Sequence, residues 1–156
     1  MPENHAYEQA KAKLQSIVRL VTALEVDYDR MDELREESSL NDEEQQELEE
    51  LEENAAGYTN REEVLDDIES DPLSVEVRDD WRSPSDDSGD PVEFKILLCW
   101  GGPAVQIIGE LGRHSIPENP HLQYQDWGTP WADYINMTDE EREALQTYCE
   151  QFYFGD

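Results

Sequence analysis

Lysine is nearly missing from this chain. Its 156 residues hold 3 lysines and 8 arginines against 40 acids, for a net charge of −29. A field of that sign repels phosphate, which excludes nucleic acid as a direct ligand and argues equally against an anionic membrane surface. A basic partner, a dense cation atmosphere or a salty medium is left. Cysteine is scarce too: Cys99 and Cys149 form no CxxC pair and share no zinc-type spacing with histidine. They are expected as buried, reduced thiols, with a disulfide as the alternative. No apolar run approaches the length of a membrane span, and Met1-Pro2-Glu3-Asn4 lacks the basic start of a secretory leader. A cytoplasmic protein is therefore expected.

Catalytic signatures are absent as well. There is no GxSxG elbow, no Walker loop and no Cys/His pair. His5, His114 and His121 do not pair with one another at the spacing of a zinc site, so they read as surface histidines. The run Asp86-Asp87-Ser88-Gly89-Asp90 lacks the odd-position ligands and distal glutamate of an EF-hand loop. A solvated acidic loop fits it better, with a weak cation site left open. Any two of 40 carboxylates could be nominated as acid and base, but without an enclosing pocket the nomination has no content. The expectation is a non-enzyme with no catalytic residue, no metal and no cofactor.

What is present centres on Val92 to Gly112, VEFKILLCWGGPAVQIIGELG, the least charged window of the chain. Phe94, Ile96 and Leu98 alternate with Glu93, Lys95 and Leu97, as on a strand with one buried face. Gly101-Gly102 supplies the positive φ of a tight turn, and Pro103 sets the exit. Val105, Ile107 and Gly109 then face one way, and Gln106, Ile108 and Glu110 the other. A phosphate-cradling loop at the glycines would need a helix behind them, and β-branched Val105, Ile107 and Ile108 argue for a strand.

Upstream, Tyr7, Ala10, Leu14, Ile17, Val21, Leu24, Tyr28 and Met31 recur at alternating spacings of three and four. That seam predicts one long helix from about residue 4 to 36. Asn41 with Glu44 forms a capping box for a second helix bearing Leu48, Leu51 and Ala55, which Gly57 closes. The two are expected to pair as an antiparallel hairpin, self-association into a coiled coil being the alternative. Thr59 with Glu62 caps a short third helix, and Leu73, Val75 and Val77 alternate as a strand. After the polar loop 79–91 and the central hairpin come a loop from Arg113 to Pro120, a strand around Leu122 and Tyr124, and a last helix capped by Thr138 and Glu141. The fold class is α+β: an N-terminal antiparallel helical hairpin plus a short helix, a four-stranded antiparallel meander and a C-terminal helix. Residues 1–71 form an acidic helical region and 72–156 the sheet with its helix, together one compact domain with a helical arm.

The densest charge lies from Glu25 to Glu53, with 15 acids and 2 arginines in 29 residues. At a rise of about 1.5 Å per residue, such a helix carries a carboxylate roughly every 3 Å. Duplex DNA carries a phosphate charge about every 1.7 Å. Two such helices side by side approach that density, so they can imitate a nucleic-acid backbone. The plain alternative is a solvated helical face. Candidate contact residues are Asp32, Glu33, Glu36, Glu37, Asp42, Glu43, Glu47, Glu50 and Glu53, and the partner class is a basic nucleic-acid-binding protein. Tyr124, Trp127 and Trp131 crowd around Gly128-Thr129-Pro130, with Phe152, Tyr153 and Phe154 further on. They read first as rings covering the sheet and fastening the last helix, and alternatively as a stacking or peptide-binding platform.

The segments DPLSVEV (71–77), FKILLCWGGPAVQIIGEL (94–111), LQYQDWGTPW (122–131) and CEQFYFG (149–155) resemble a family of small acidic proteins of bacterial plasmids, phages and integrated mobile elements. The resemblance covers the C-terminal half in detail and the helical half by pattern. That family has no assigned activity, so it implies no site residues. It does imply a setting in which acidic inhibitors of restriction and CRISPR nucleases occur. The leading expectation is thus an acidic decoy of the anti-restriction or anti-CRISPR type. The alternative is a mobile-element accessory protein adapted to high salt. The even spread of acid suits that alternative: residues 1–71 carry −17 (23 acids, 6 bases) and the other 85 carry −12 (17 acids, 5 bases).

Overall fold

A computed structural model describes residues 5–79, 81, 84–85 and 91–155. Four helices come first: α1 (His5–Leu24), α2 (Tyr28–Glu36), α3 (Asp42–Ala55) and α4 (Arg61–Ser70). A five-stranded antiparallel sheet follows, in the order β1 (Ser74–Asp79), β2 (Pro91–Cys99), β3 (Ala104–Leu111), β4 (Pro117–Gln125) and β5 (Ala132–Asp133). The last helix is α5 (Asp139–Cys149). The fold is α+β, with α5 packed on α1 and both helices lying against β4.

The expected helix over 4–36 is two helices. Every seam residue from Ala10 to Met31 is buried, but the backbone breaks at Glu25–Asp27. Asp27 caps α2, its carboxylate accepting from the Arg30 N–H at 3.0 Å. The Tyr28 hydroxyl donates back to the Ala23 carbonyl at 2.7 Å, which also accepts from the Val26 N–H at 3.3 Å, so the side chain ties α2 to the end of α1. A three–four spacing runs through such a corner unchanged, so periodicity alone cannot reveal it. The helical hairpin is therefore α2 with α3, while α1 lies beneath as the element that also meets β3, β4, α4 and α5.

The capping boxes at Asn41/Glu44 and Thr138/Glu141 are both present. The cap of α4 is Asn60, one residue later than expected, because its side chain accepts from the Glu63 N–H at 2.9 Å. α3 ends with Ala56 in the left-handed region (φ 51°), followed by Gly57.

In the sheet, Val75, Ile96, Ile107 and Leu122 stand in register across β1 to β4; the last three are fully buried in the core, while Val75 on the edge strand is exposed. Gln106, Gln123 and Asp133 form a row on the other face, linked side chain to side chain at 2.8 Å each. β4 starts earlier than expected, inside the predicted loop. Pro117 is tolerated as the first residue of the strand, and Pro120 because it falls in the register shift opposite Ile108–Glu110, where the ladder to β3 is interrupted. β5, with two residues, is the fifth strand that the four-strand reading lacked.

Gly109 sits opposite Phe94. A Cβ there would fall 2.5 Å from the Phe94 ring and 2.9 Å from the Glu118 carbonyl oxygen. The ring occupies that space and packs on Phe154 with centroids 4.8 Å apart. Gly109→Ala should cost about 1–3 kcal/mol as an overpacking change. Urea denaturation of the two proteins measures this, and a loss too small to resolve would contradict the packing.

Candidate functional site

The acids sit where amphipathic helices must put them, on the faces turned from the core. α2 buries Tyr28, Met31 and Leu34, so Asp29, Asp32, Glu33 and Glu36 line its exposed side at helical spacing. α3 half-buries Leu48 and Leu51 against its neighbours and closes with buried Ala55. Its outer side carries Asp42, Glu49 and Glu53 along one line, flanked by Glu43 and Glu50. Glu37 is exposed just past α2. Eight of the 14 residues of α3 are acidic.

Both arginines of this stretch are engaged on the seam between α2 and α3. Arg30 reaches Glu47 through two contacts, Nε to Oε1 at 2.9 Å and Nη2 to Oε2 at 3.2 Å, and Glu33 through Nη1 at 3.3 Å. Arg35 Nε meets Glu52 at 3.2 Å. Exposed pairs of this kind add little net stability. Their consequence is geometric: the bases face the seam, and Asp32, Glu36, Asp42, Glu49 and Glu53 stay outside the ion pairs among the described residues.

Glu47 thus has a different place from the one the sequence suggests. Its carboxylate is a strut of the hairpin, whereas Asp32, Glu36, Glu37, Asp42, Glu43, Glu50 and Glu53 are exposed on the outer surface. Glu33 is exposed and shares Arg30. Glu49 belongs to the outer line and was missed. Its signal was available in the spacing from Asp42 to Glu49 to Glu53. α4 continues the acidic surface with Glu62, Asp66 and Glu69, all exposed.

Hydrogen bonds from Arg30 hold the Glu47 carboxylate below its usual range, and the same contacts push Arg30 up. A carboxylate lowered on folding contributes stability above its unfolded pKa of about 4.3 and loses it as pH falls through the folded value. Glu47→Gln should therefore be less stable than the parent at pH 7, with the difference narrowing below about pH 4.3. Thermal melts between pH 7 and pH 3 test this, and a difference independent of pH would refute the strut.

The aromatic residues divide. Tyr7 stacks on Tyr134 at 5.2 Å and meets Tyr124 edge-on, Phe152 packs on Tyr148, and Phe154 on Phe94. The Tyr7–Tyr124 pair fastens α1 to the sheet and Phe94–Phe154 fastens the segment after α5 to β2, while Tyr148–Phe152 packs within the α5 end. Trp127 does none of this: it is 83% exposed, as Trp100 is at 67%, and Tyr153 also faces solvent. Reading Trp127 as a cover for the sheet is therefore wrong. The Asp126–Thr129 turn points it away from the core. Trp131 is half-buried.

Both cysteines are free, and burial pushes the thiol of fully buried Cys149 well up. Among the described residues no three or more His, Cys, Asp or Glu side chains converge as metal ligands, and the run Asp86–Asp90 lies outside those residues. No helix among the described residues is long and apolar enough to cross a membrane. No family model matches the chain, and no curated protein or solved structure matches it.

Proposed function

We propose that the protein is a non-enzymatic decoy that presents the outer carboxylates of α2 and α3 to the basic groove of a nucleic-acid-binding protein. One observation carries this reading. Arg30 and Arg35 are both turned onto the α2–α3 seam, so a line of exposed acids runs along the hairpin with its neighbouring bases already engaged. A groove that binds a phosphate backbone is complementary to such a line in sign. The partner class is a restriction or CRISPR nuclease, in keeping with the resemblance to acidic mobile-element proteins, and the setting is the cytoplasm. Binding should compete with duplex DNA for the same groove and weaken as salt is raised. Fluorescence competition between labelled duplex and the full chain on such a nuclease tests it, and simultaneous binding of DNA and protein would refute it.

A second reading keeps support from the charge of −12 on residues 72–156, away from the hairpin. Under it the acids hold water and cations in high salt, and no basic groove is engaged.

A further inference from the structure

Beside the end of the sheet, a cleft of about 510 Å³ lies between two turns. One is the Gly101-Gly102 turn between β2 and β3, and the other runs from Asp126 to Thr129 between β4 and β5. Trp100 and Trp127 stand on these turns and both line the cleft. Trp127 crosses the gap, its indole Nε1 lying 3.9 Å from where a Cβ on Gly102 would be. Gly101 and Gly102 have φ of 97° and 103°, so the turn is built from residues without side chains.

The second turn is held by its own hydrogen bonds. The Thr129 N–H donates to the Asp126 carbonyl at 3.1 Å, and Gly128 takes φ 74° at the third position. The Asp126 carboxylate accepts from the Trp127 N–H at 2.8 Å, and Gln125 Nε2 donates to the Thr129 carbonyl at 2.8 Å. A large apolar ring left mostly exposed on a hydrogen-bonded turn contributes little to packing, and two such rings bordering one cleft mark a contact site.

Charge selects the occupant. Indole faces take nucleobases, proline rings or cations. A nucleic acid would bring its phosphates into the field of a chain carrying −29. A proline ring has no use for the Asp126 carboxylate in the cleft wall. A guanidinium uses both, stacking flat on an indole while its N–H groups meet a carboxylate. The open cleft is larger than a guanidinium alone, leaving room for the peptide that carries it. We propose that this cleft receives an arginine side chain of a polypeptide partner. The inference rests on the two indoles and Asp126, and stands whether or not the helices imitate a phosphate backbone.

The test follows the four indole N–H signals of the full chain by NMR in 0.5 M NaCl, where diffuse attraction is screened within roughly 4 Å. The probes are blocked tripeptides Gly-Arg-Gly, Gly-citrulline-Gly, Gly-Lys-Gly and Gly-Pro-Gly, together with free ethylguanidinium. The arginine peptide should shift the Trp100 and Trp127 signals saturably, while those of Trp81 and Trp131 stay still. The citrulline and proline peptides should bind at least tenfold more weakly, and the lysine peptide and ethylguanidinium severalfold more weakly. Trp127→Ala, checked for folding by circular dichroism, should abolish the Trp100 shift. Asp126→Asn, which keeps the acceptor for the Trp127 N–H, should weaken binding severalfold. No saturable shift by tens of millimolar, or equal movement of all four indoles, overturns the proposal. Equal affinity for citrulline or proline reassigns the cleft to apolar peptide, for lysine to any ammonium, and for ethylguanidinium to a free cation. Each of these outcomes also overturns it.

Discussion

Replacing Asp42, Glu43, Glu50 and Glu53 together by Asn and Gln should weaken binding to a basic, DNA-competing partner by roughly 30- to 1,000-fold. The range follows if each carboxylate contributes about 0.5–1 kcal/mol at the partner's surface. All four are exposed and none forms an ion pair among the described contacts, so the hairpin should keep its circular dichroism. Glu47 is left in place because removing it would disturb the α2–α3 seam and confuse loss of charge with loss of shape. The salt dependence of binding should become shallower in parallel, since fewer charges are matched across the interface. Parent-like affinity and salt dependence in the folded quadruple variant would sink the decoy reading and leave acidity as a solvation device.

The largest expected effect on folding is at Ile107. It is fully buried in the row between Ile96 and Leu122. Ile107→Asp places a carboxylate with no designed partner in that row, at a cost of about 5 kcal/mol or more. Against the roughly 5–15 kcal/mol of a whole domain, that is enough to leave much or all of the chain unfolded. Ile107→Val should remain folded at a cost of about 1 kcal/mol, which separates charge burial from lost volume. A cooperative melt of the Asp variant near that of the parent would place Ile107 outside the core.

Sequence patterns reached the sheet because strand alternation and the Gly101-Gly102 turn are local signals that tertiary packing did not override. The same holds for the caps at Asn41 and Thr138, where two side chains three residues apart settle the helix start. The corner at Glu25–Asp27 was hidden because burial continues through it: Leu24, Tyr28 and Met31 stay on the inner side while the backbone changes direction. The capping role of Asp27 was available, but the seam outweighed it. β5 was too short to carry a period. At the candidate site, composition located the acidic hairpin, whereas the partners of Arg30 and Arg35 depend on how two helices register against each other. The place of Trp127 was likewise illegible, because a turn residue can face inward or outward with the same neighbours in sequence.

The pairing of α1 with α5 sets an order of events during synthesis. α1 leaves the ribosome before α5. Although α4 and the sheet cover part of the helix that carries Leu14, Ile17 and Val21, its main partner α5 follows more than a hundred residues later. Contacts this far apart along the chain are slow to form, and an uncovered apolar face meanwhile invites aggregation. The acids of α2 and α3 follow that helix directly along the chain. Mutual repulsion between nascent chains then guards α1 until its late partner arrives, so the charge protects the protein before it has any surface to present.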